Sequence, residues 1–137
     1  EGGIFHGYTY SAHPSSAAAA LANLETIESL GLVERVRDDT GPYFQQKIHE
    51  FAAHPAVSEV RGHGLIGALE VIPRSGRAGL STEPTIGVRA AGLIREEGSI
   101  VRGIRTLIAM SPPLIITREE IDYLFSCVKR GLDRLWD

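Results

Sequence analysis

Composition bounds the class of this protein before any motif is considered. The chain has 137 residues, of which 43% are hydrophobic, and its formal net charge is −3. This size suits one compact domain or one part of a larger protein, and the interleaved charges lack the basic stripe that would indicate a nucleic-acid or membrane-surface partner. With Cys127 as its single cysteine, the chain cannot be a disulfide scaffold, so we expect a cytoplasmic protein in which Cys127 packs in the core.

The N-terminal segment combines features of an anion site. The first five residues contain neither an initiator methionine nor a signal peptide, which predicts a chain that begins inside a longer protein. Gly7 allows close backbone approach, Thr9 offers a hydroxyl, and Pro14 suits the first turn of a helix. Such runs also occur in ordinary strand-to-helix turns, so the pattern leaves both readings open. His6 and His13 have no cysteine or carboxylate between them, and we expect no metal site.

Two helical stretches follow. From Pro14 the apolar residues recur at three- and four-residue spacing up to Gly31, which can end the helix. Residues 32–53 continue with helical spacing, but Gly41-Pro42 is expected to kink or break this second stretch.

The middle of the chain reads as a strand pair and a third helix. Residues 57–61 and 65–72 are rich in strand formers around Gly62-His63-Gly64, which predicts two strands or a bulged bend. Residues 74–84 are loop-like, and residues 85–97 predict a helix that ends at Gly98.

The last third predicts a second strand pair and a final helix. Strands are expected at 99–102 and 106–110, joined by a tight connection at 103–105. Pro112 and Pro113 interrupt the apolar stretch that follows, which is far too short to cross a bilayer. Thr117 and Glu120 form a capping-box pattern ahead of an apolar stripe. The whole chain therefore predicts an α+β fold with four helices and about four short strands.

Self-contained catalytic motifs are missing from the sequence. It has no nucleophile elbow, phosphate-binding loop or zinc-protease motif. Arg61, beside the glycines at 62 and 64, could hold an anion or could be a surface residue at a strand junction. Arg102 could clamp a carboxylate with its planar guanidinium, or could form a surface ion pair.

The order of four motifs carries a family resemblance. The run at residues 6–14, the run Asp38 to Tyr43, the run Val60 to Leu65, and Val101-Arg102 ahead of Pro112-Pro113 follow one another along nearly all of the chain. Together they resemble the C-terminal third of the class III aminotransferases, with the greatest similarity to the ω-amino acid–pyruvate branch.

The resemblance implies a fold, a cofactor and a set of contacts. The family consists of fold-type I pyridoxal 5'-phosphate (PLP) enzymes, usually homodimers with active sites at the subunit interface. Residues 1–31 would then end the large domain and supply an interdomain helix, while 32–137 would form the C-terminal small domain, with about four helices on one face of a small, mainly antiparallel sheet. Thr9 and the backbone amide of Tyr8 would bind the phosphate of the neighbouring subunit's cofactor. Arg102 would bind the substrate carboxylate. Arg61 would have a structural role or, at most, act on the site through another residue.

The implied reaction moves an amino group from an amine or ω-amino acid to a keto acid such as pyruvate. It requires a lysine that carries the cofactor, which in the family precedes the motif at residues 6–14. The chain has two lysines, Lys47 and Lys129, and neither matches that position. We therefore expect no catalytic residue in this chain, no bound PLP and no transamination by the chain alone. A class III aminomutase or decarboxylase, and a stand-alone α+β binding module, are the alternatives.

Overall fold

The first of two compact units in the chain contains one long helix. The computed structural model describes residues 7, 9, 11–74 and 85–136, and its units are Glu1–Val33 and Glu34–Asp137. Helix α1 spans Pro14–Ser29, and the His13 side chain caps it by accepting a hydrogen bond from the Ser16 amide at 3.3 Å. Gly31 follows with φ +56°, a conformation that glycine adopts without strain, so the predicted helix and its end are confirmed.

Helix α1 buries none of its side chains. Leu21 and Leu24 are 61% and 56% exposed, although they lie at helical spacing and form an apolar strip. The assignment of residues 1–31 to a large domain and an interdomain helix stays a prediction.

The second unit begins with an almost unbroken helical segment and continues as alternating strands and helices. Its elements, in chain order, are α2 (Leu32–Arg35), a π-helical turn (Val36–Thr40), α3 (Gly41–His49), a 3-10 turn (Glu50–Ala53), β1 (Val57–His63), β2 (Ile66–Val71), α4 (Ile86–Glu96), β3 (Arg102–Ile104), β4 (Leu107–Met110), α5 (Arg118–Asp133) and a 3-10 turn (Arg134–Trp136). Helix α2 starts two residues before Glu34, the first residue of the second unit. The loop predicted at 74–84 lies almost wholly outside the described residues.

A π-helical turn interrupts the regular α-helix just before Gly41-Pro42, where a kink or break was expected. The Gly41 amide donates to the Val36 carbonyl, five residues back, instead of the usual four. Proline has no amide hydrogen and its ring clashes with the carbonyl four residues earlier in a regular α-helix, so a widened turn lets the helix continue through Pro42. The interruption expected at Gly41-Pro42 thus takes the form of a π-helical turn between α2 and α3.

The four strands form one antiparallel sheet in the order β1-β2-β4-β3. The predicted pair around Gly62-His63-Gly64 is confirmed as the β1–β2 hairpin. The strand expected at 99–102 was misplaced, because β3 starts at Arg102 and the turn falls at Arg105 and Thr106. Gly103 belongs to the strand and lies against α4, where a Cβ would stand 2.6 Å from Val88 Cα, so this glycine serves close packing and not a turn.

Helices α3 and α4 pack on one face of the sheet, and α5 packs on both helices. The largest fully buried side chains of this layer are Phe44, Ile48, Leu69, Ile86, Ile94, Ile108, Ile121, Leu132 and Leu135. Phe44 and Phe125 have ring centroids 5.1 Å apart, which joins α3 to α5. Cys127 is buried as expected, with its Sγ 3.1 Å from the Glu97 carbonyl oxygen.

The start of α5 is fixed by the predicted capping box. Thr117 Oγ1 accepts from the Glu120 amide at 3.2 Å, and the Glu120 carboxylate accepts from the Thr117 amide at 2.8 Å. The α+β fold with a small antiparallel sheet is thus confirmed, with four helices of nine or more residues in the part of the chain described. No helix in that part combines the length and apolar character needed to span a bilayer.

Candidate functional site

The sheet has two chemically different faces. Residues alternate along each strand, so Leu69 and Ile108 point to the helices while Ala68 and Ala109 point away. We call the second face the outer face, and it is made of Glu59, Arg61, His63, Ile66, Ala68, Glu70, Arg102, Ile104, Leu107 and Ala109. All ten of these residues keep some solvent exposure, and Ile66 reaches 67%. The outer face is therefore the uncovered side of the described sheet.

One cross-strand row of the outer face has an arginine at each end. Arg102 pairs with Ala109, Ala109 with Ala68, and Ala68 with Arg61. Directly opposed residues share a face, so only the methyl groups of Ala68 and Ala109 lie on the sheet surface between the two arginines. Three strand spacings separate the arginine Cα atoms by about 14 Å. The row resembles a shallow trough with a cation at either end.

Among the residues that the structure describes, Arg102 is the unpaired member of this row. Its side chain is exposed, and within the described residues it forms no hydrogen bond or ion pair. A guanidinium in this state keeps its planar fork of N–H donors available for a carboxylate, which accepts two of them in parallel. The sequence left open whether Arg102 clamps a carboxylate or forms a surface ion pair. No such ion pair is present among the described residues.

Arg61, at the other end of the row, is neutralised by two carboxylates. Its Nε lies 3.6 Å from Glu59 Oε1 and its Nη2 lies 3.8 Å from Glu70 Oε2. Thr106 donates its hydroxyl to the other oxygen of Glu70, at 2.5 Å. Arg61 therefore faces local negative charge and is poorly placed to attract an anion, which agrees with a structural role. Sequence reasoning missed Glu70, although its alternation with Ala68 placed it on the same face.

The N-terminal turn is described only in part. Thr9 and Gly7 are both exposed, and a Cβ at Gly7 would meet nothing within 4 Å. Tyr8 and His6 lie outside the described residues. An exposed hydroxyl two residues from an open glycine fits one contact to a phosphate, and the roles of Thr9 and the Tyr8 amide stay predictions.

Both lysines lie on the helical layer, away from the outer face, and both are in ion pairs. Lys47 Nζ is 2.7 Å from Asp122, and Lys129 Nζ is 2.7 Å from Asp133. Hydrogen bonding to Asp122, supported by Tyr43, raises the pKa of Lys47 above its ordinary value. A lysine that attacks a carbonyl must lose its proton, so the Lys47 environment opposes that role.

A groove between α3 with its following 3-10 turn and α5 was not foreseen. Its volume is about 510 Å³, and Phe51 and Phe125 lie among its lining residues with both lysines. His54 also lines it, and its ring accepts the Ala56 amide at Nδ1 and contacts Asp133 at Nε2. Because each lysine in the groove is already paired with an aspartate, the groove offers no free cation. In the described part of the chain no three His, Cys, Asp or Glu side chains are grouped as metal ligands would be.

Comparison with known proteins gives consistent matches over nearly the whole chain. The family model for class-III aminotransferases matches residues 1–132. A putrescine–pyruvate aminotransferase of Pseudomonas aeruginosa is 35% identical over 97% of this chain, and an omega-aminotransferase of Caulobacter vibrioides is 38% identical over 96%. In each case the chain spans 29% of the relative's length.

Solved structures agree with the sequence matches. A thermostable omega transaminase mutant from Pseudomonas jessenii superposes with a TM-score of 0.84 at 36% identity, covering 96% of this chain and 29% of that one. The omega transaminase from the same organism in complex with PMP gives a TM-score of 0.83 at 37% identity, with 95% and 29% covered. The similarity therefore extends to the arrangement of strands and helices described above.

Proposed function

Because this chain belongs to the class III aminotransferases, we propose that its parent protein moves an amino group from an amine or ω-amino acid to a keto acid such as pyruvate. PLP is the cofactor in this proposal and a homodimer is the working unit. The name of the Pseudomonas aeruginosa relative, which contains both an amine and pyruvate, supports this choice of substrates. The solved complex with PMP supports the cofactor.

The observation that carries the proposal is the state of Arg102. It stands on an uncovered sheet face without a partner in the described residues, beside a floor of two alanines that leaves room for a ligand. A keto acid brings a carboxylate to such a group, whereas a simple amine does not. In our proposal Arg102 binds the keto acid's carboxylate and thereby orients its carbonyl carbon.

The residues of this chain fit only part of a cofactor site. The exposed Thr9 hydroxyl and the open space at Gly7 suit one contact to a phosphate, in which the Tyr8 amide would join. Neither lysine suits covalent attachment, because Lys47 is held by Asp122 and Lys129 by Asp133. When bound, PLP supplies the electron sink that amino-group transfer needs. We propose that this chain binds phosphate and substrate carboxylate while the lysine comes from outside it.

The role of Arg102 is tested in the full-length enzyme with Arg102→Ala. The variant should raise KM for pyruvate about 10- to 100-fold, since a hydrogen bond to a charged group contributes about 1.5–3 kcal/mol. KM for an amine without a carboxylate should stay the same. The control is Arg105→Ala, which removes an equal charge from the same hairpin at a residue that is also exposed. Equal changes for both substrates would contradict the clamp.

The proposal that neither lysine of this chain carries the cofactor is tested separately with the 137-residue polypeptide. We expect that PLP added in equimolar amount gives no absorbance band of a lysine-bound cofactor. A stoichiometric band that disappears in Lys47→Ala would show that Lys47 attaches the cofactor despite its ion pair.

A further inference from the structure

We infer that Arg61 is a positioning residue for the carboxylate clamp: it holds the Glu70 carboxylate away from Arg102. This inference rests on the proposed role of Arg102 and adds a role for the opposite end of the same cross-strand row. Arg61 touches no substrate in this account, and it acts through Glu70.

The need for such a residue follows from the position of Glu70. Glu70 lies on the outer face in the same row as Leu107 and Ile104, two strands from β3 and two residues along from Arg102. The strand spacing and the rise per residue place the two Cα atoms about 12 Å apart. An extended arginine and an extended glutamate can bridge that distance. A free Glu70 carboxylate would therefore compete with the substrate carboxylate for Arg102.

Two contacts keep Glu70 occupied. The Thr106 hydroxyl donates to Glu70 Oε1, and Arg61 Nη2 stands 3.8 Å from Glu70 Oε2. The Glu70 side chain is 29% exposed, so it is partly protected from solvent and its charge is felt more strongly than that of a fully exposed group. Arg61 attracts the carboxylate towards β1, on the side of Glu70 that faces away from Arg102.

A second carboxylate makes the arrangement dependent on Arg61. Glu59 is directly opposite Glu70 in the β1–β2 register, and like charges in that relation repel. Arg61 Nε lies 3.6 Å from Glu59, so one guanidinium neutralises both acids. Without it, Glu59 would push the Glu70 carboxylate towards the other end of the trough, where Arg102 has no partner among the described residues.

The test uses the full-length enzyme and the variants Arg61→Gln, Glu70→Gln and the double variant. An exposed ion pair contributes about 0.2–1 kcal/mol, so a Glu70–Arg102 pair formed in Arg61→Gln should raise KM for pyruvate about two- to sixfold. The KM for an amine without a carboxylate should not change. The double variant should return KM for pyruvate to the wild-type value, because the competing carboxylate is gone. Arg61→Lys should stay close to wild type, since it keeps the charge.

Glu59→Gln in the Arg61→Gln background is the matched control for Glu70→Gln. It removes one of the same two carboxylates but leaves Glu70 free, so KM should stay raised, although less than in Arg61→Gln alone. Salt supplies a second readout. Raising ionic strength from 0.05 to 0.5 M should shrink the difference between Arg61→Gln and wild type, because exposed charges are screened over a few ångströms at high salt.

The results distinguish a failure of the positioning role of Arg61 from a failure of the carboxylate clamp at Arg102. If Arg102→Ala affects pyruvate selectively but Arg61→Gln does not, the positioning role is wrong and the clamp stands. If Arg61→Gln raises KM and the double variant fails to restore it, Arg61 acts through the fold and the inference is again overturned. If Arg102→Ala shows no preference for pyruvate, the proposed clamp itself fails.

Discussion

Two glycines of α4, Gly87 and Gly92, should respond in opposite ways to replacement by alanine. Gly87→Ala should destabilise the protein, and Gly92→Ala should stabilise it. At Gly87 a Cβ would stand 2.7 Å from the Leu107 amide nitrogen and 2.8 Å from its carbonyl carbon. These are backbone atoms and cannot rotate away, so Gly87→Ala must push α4 off β4. Overpacking of this kind costs about 1–3 kcal/mol. At about 4 °C per kcal/mol for a domain of this size, the melting temperature should fall by about 4–12 °C.

Gly92→Ala is the matched control, because a Cβ there would meet nothing within 4 Å. Alanine exceeds glycine in helix propensity by up to about 1 kcal/mol, so this variant should melt up to about 4 °C higher than wild type. Thermal unfolding followed by circular dichroism measures both variants. A Gly87→Ala protein that melts at or above the wild-type temperature would refute the close contact between α4 and β4.

Three further predictions concern α5 and its contacts. Thr117→Ala removes one half of the capping box and should lower stability by about 1 kcal/mol, seen as a lower urea midpoint with an unchanged slope; an unchanged midpoint would mean the bond to Glu120 contributes nothing. Hydrogen bonding to Lys47 first, and then to Tyr43, lowers the pKa of Asp122 below 3.8. The ionised Asp122 carboxylate therefore stabilises the fold fully above pH 3.8, and this contribution is lost as the pH falls through the lower pKa of the folded state. Asp122→Asn should flatten the acid end of a curve of unfolding free energy against pH. Parallel curves for the variant and the wild type would contradict this. The Cys127 thiol is fully buried, so a thiol reagent should label it quickly in urea and slowly in the native protein; fast native labelling would show that α5 opens readily.

Local sequence signals predicted the elements whose ends are set by local chemistry. The capping box between Thr117 and Glu120 and the glycine after α1 act over a few residues, so their patterns can be read directly. Gly98, with φ +109°, likewise ends α4 where the sequence placed it. In these cases the residue that makes the signal also makes the contact.

Sequence reasoning failed where a residue serves a contact that is distant in the chain. Gly103 was assigned to a turn, but it sits in β3 because α4 approaches too closely for any side chain. The interruption expected at Gly41-Pro42 is present, but the sequence did not show that it is a widened turn at Val36–Thr40. The trough between Arg61 and Arg102 depends on strand register, since residues from all four strands form one row. Neither the spacing along the chain nor the residue types contain that information.

The two borders of the sheet are protected against growth in different ways. Strand β3 has three residues, which is too short to template another chain. Strand β1 has seven, and its outward Glu59 and Arg61, together with a register shift between Val57 and Glu59, discourage edge-to-edge pairing. Arg61 thus discourages strand pairing at the β1 edge and also lies at one end of the trough. Replacing it by a neutral residue should make pairing between β1 strands of different molecules easier. The solubility of the Arg61→Gln protein is therefore itself a measure of how β1 avoids becoming the first strand of a longer sheet.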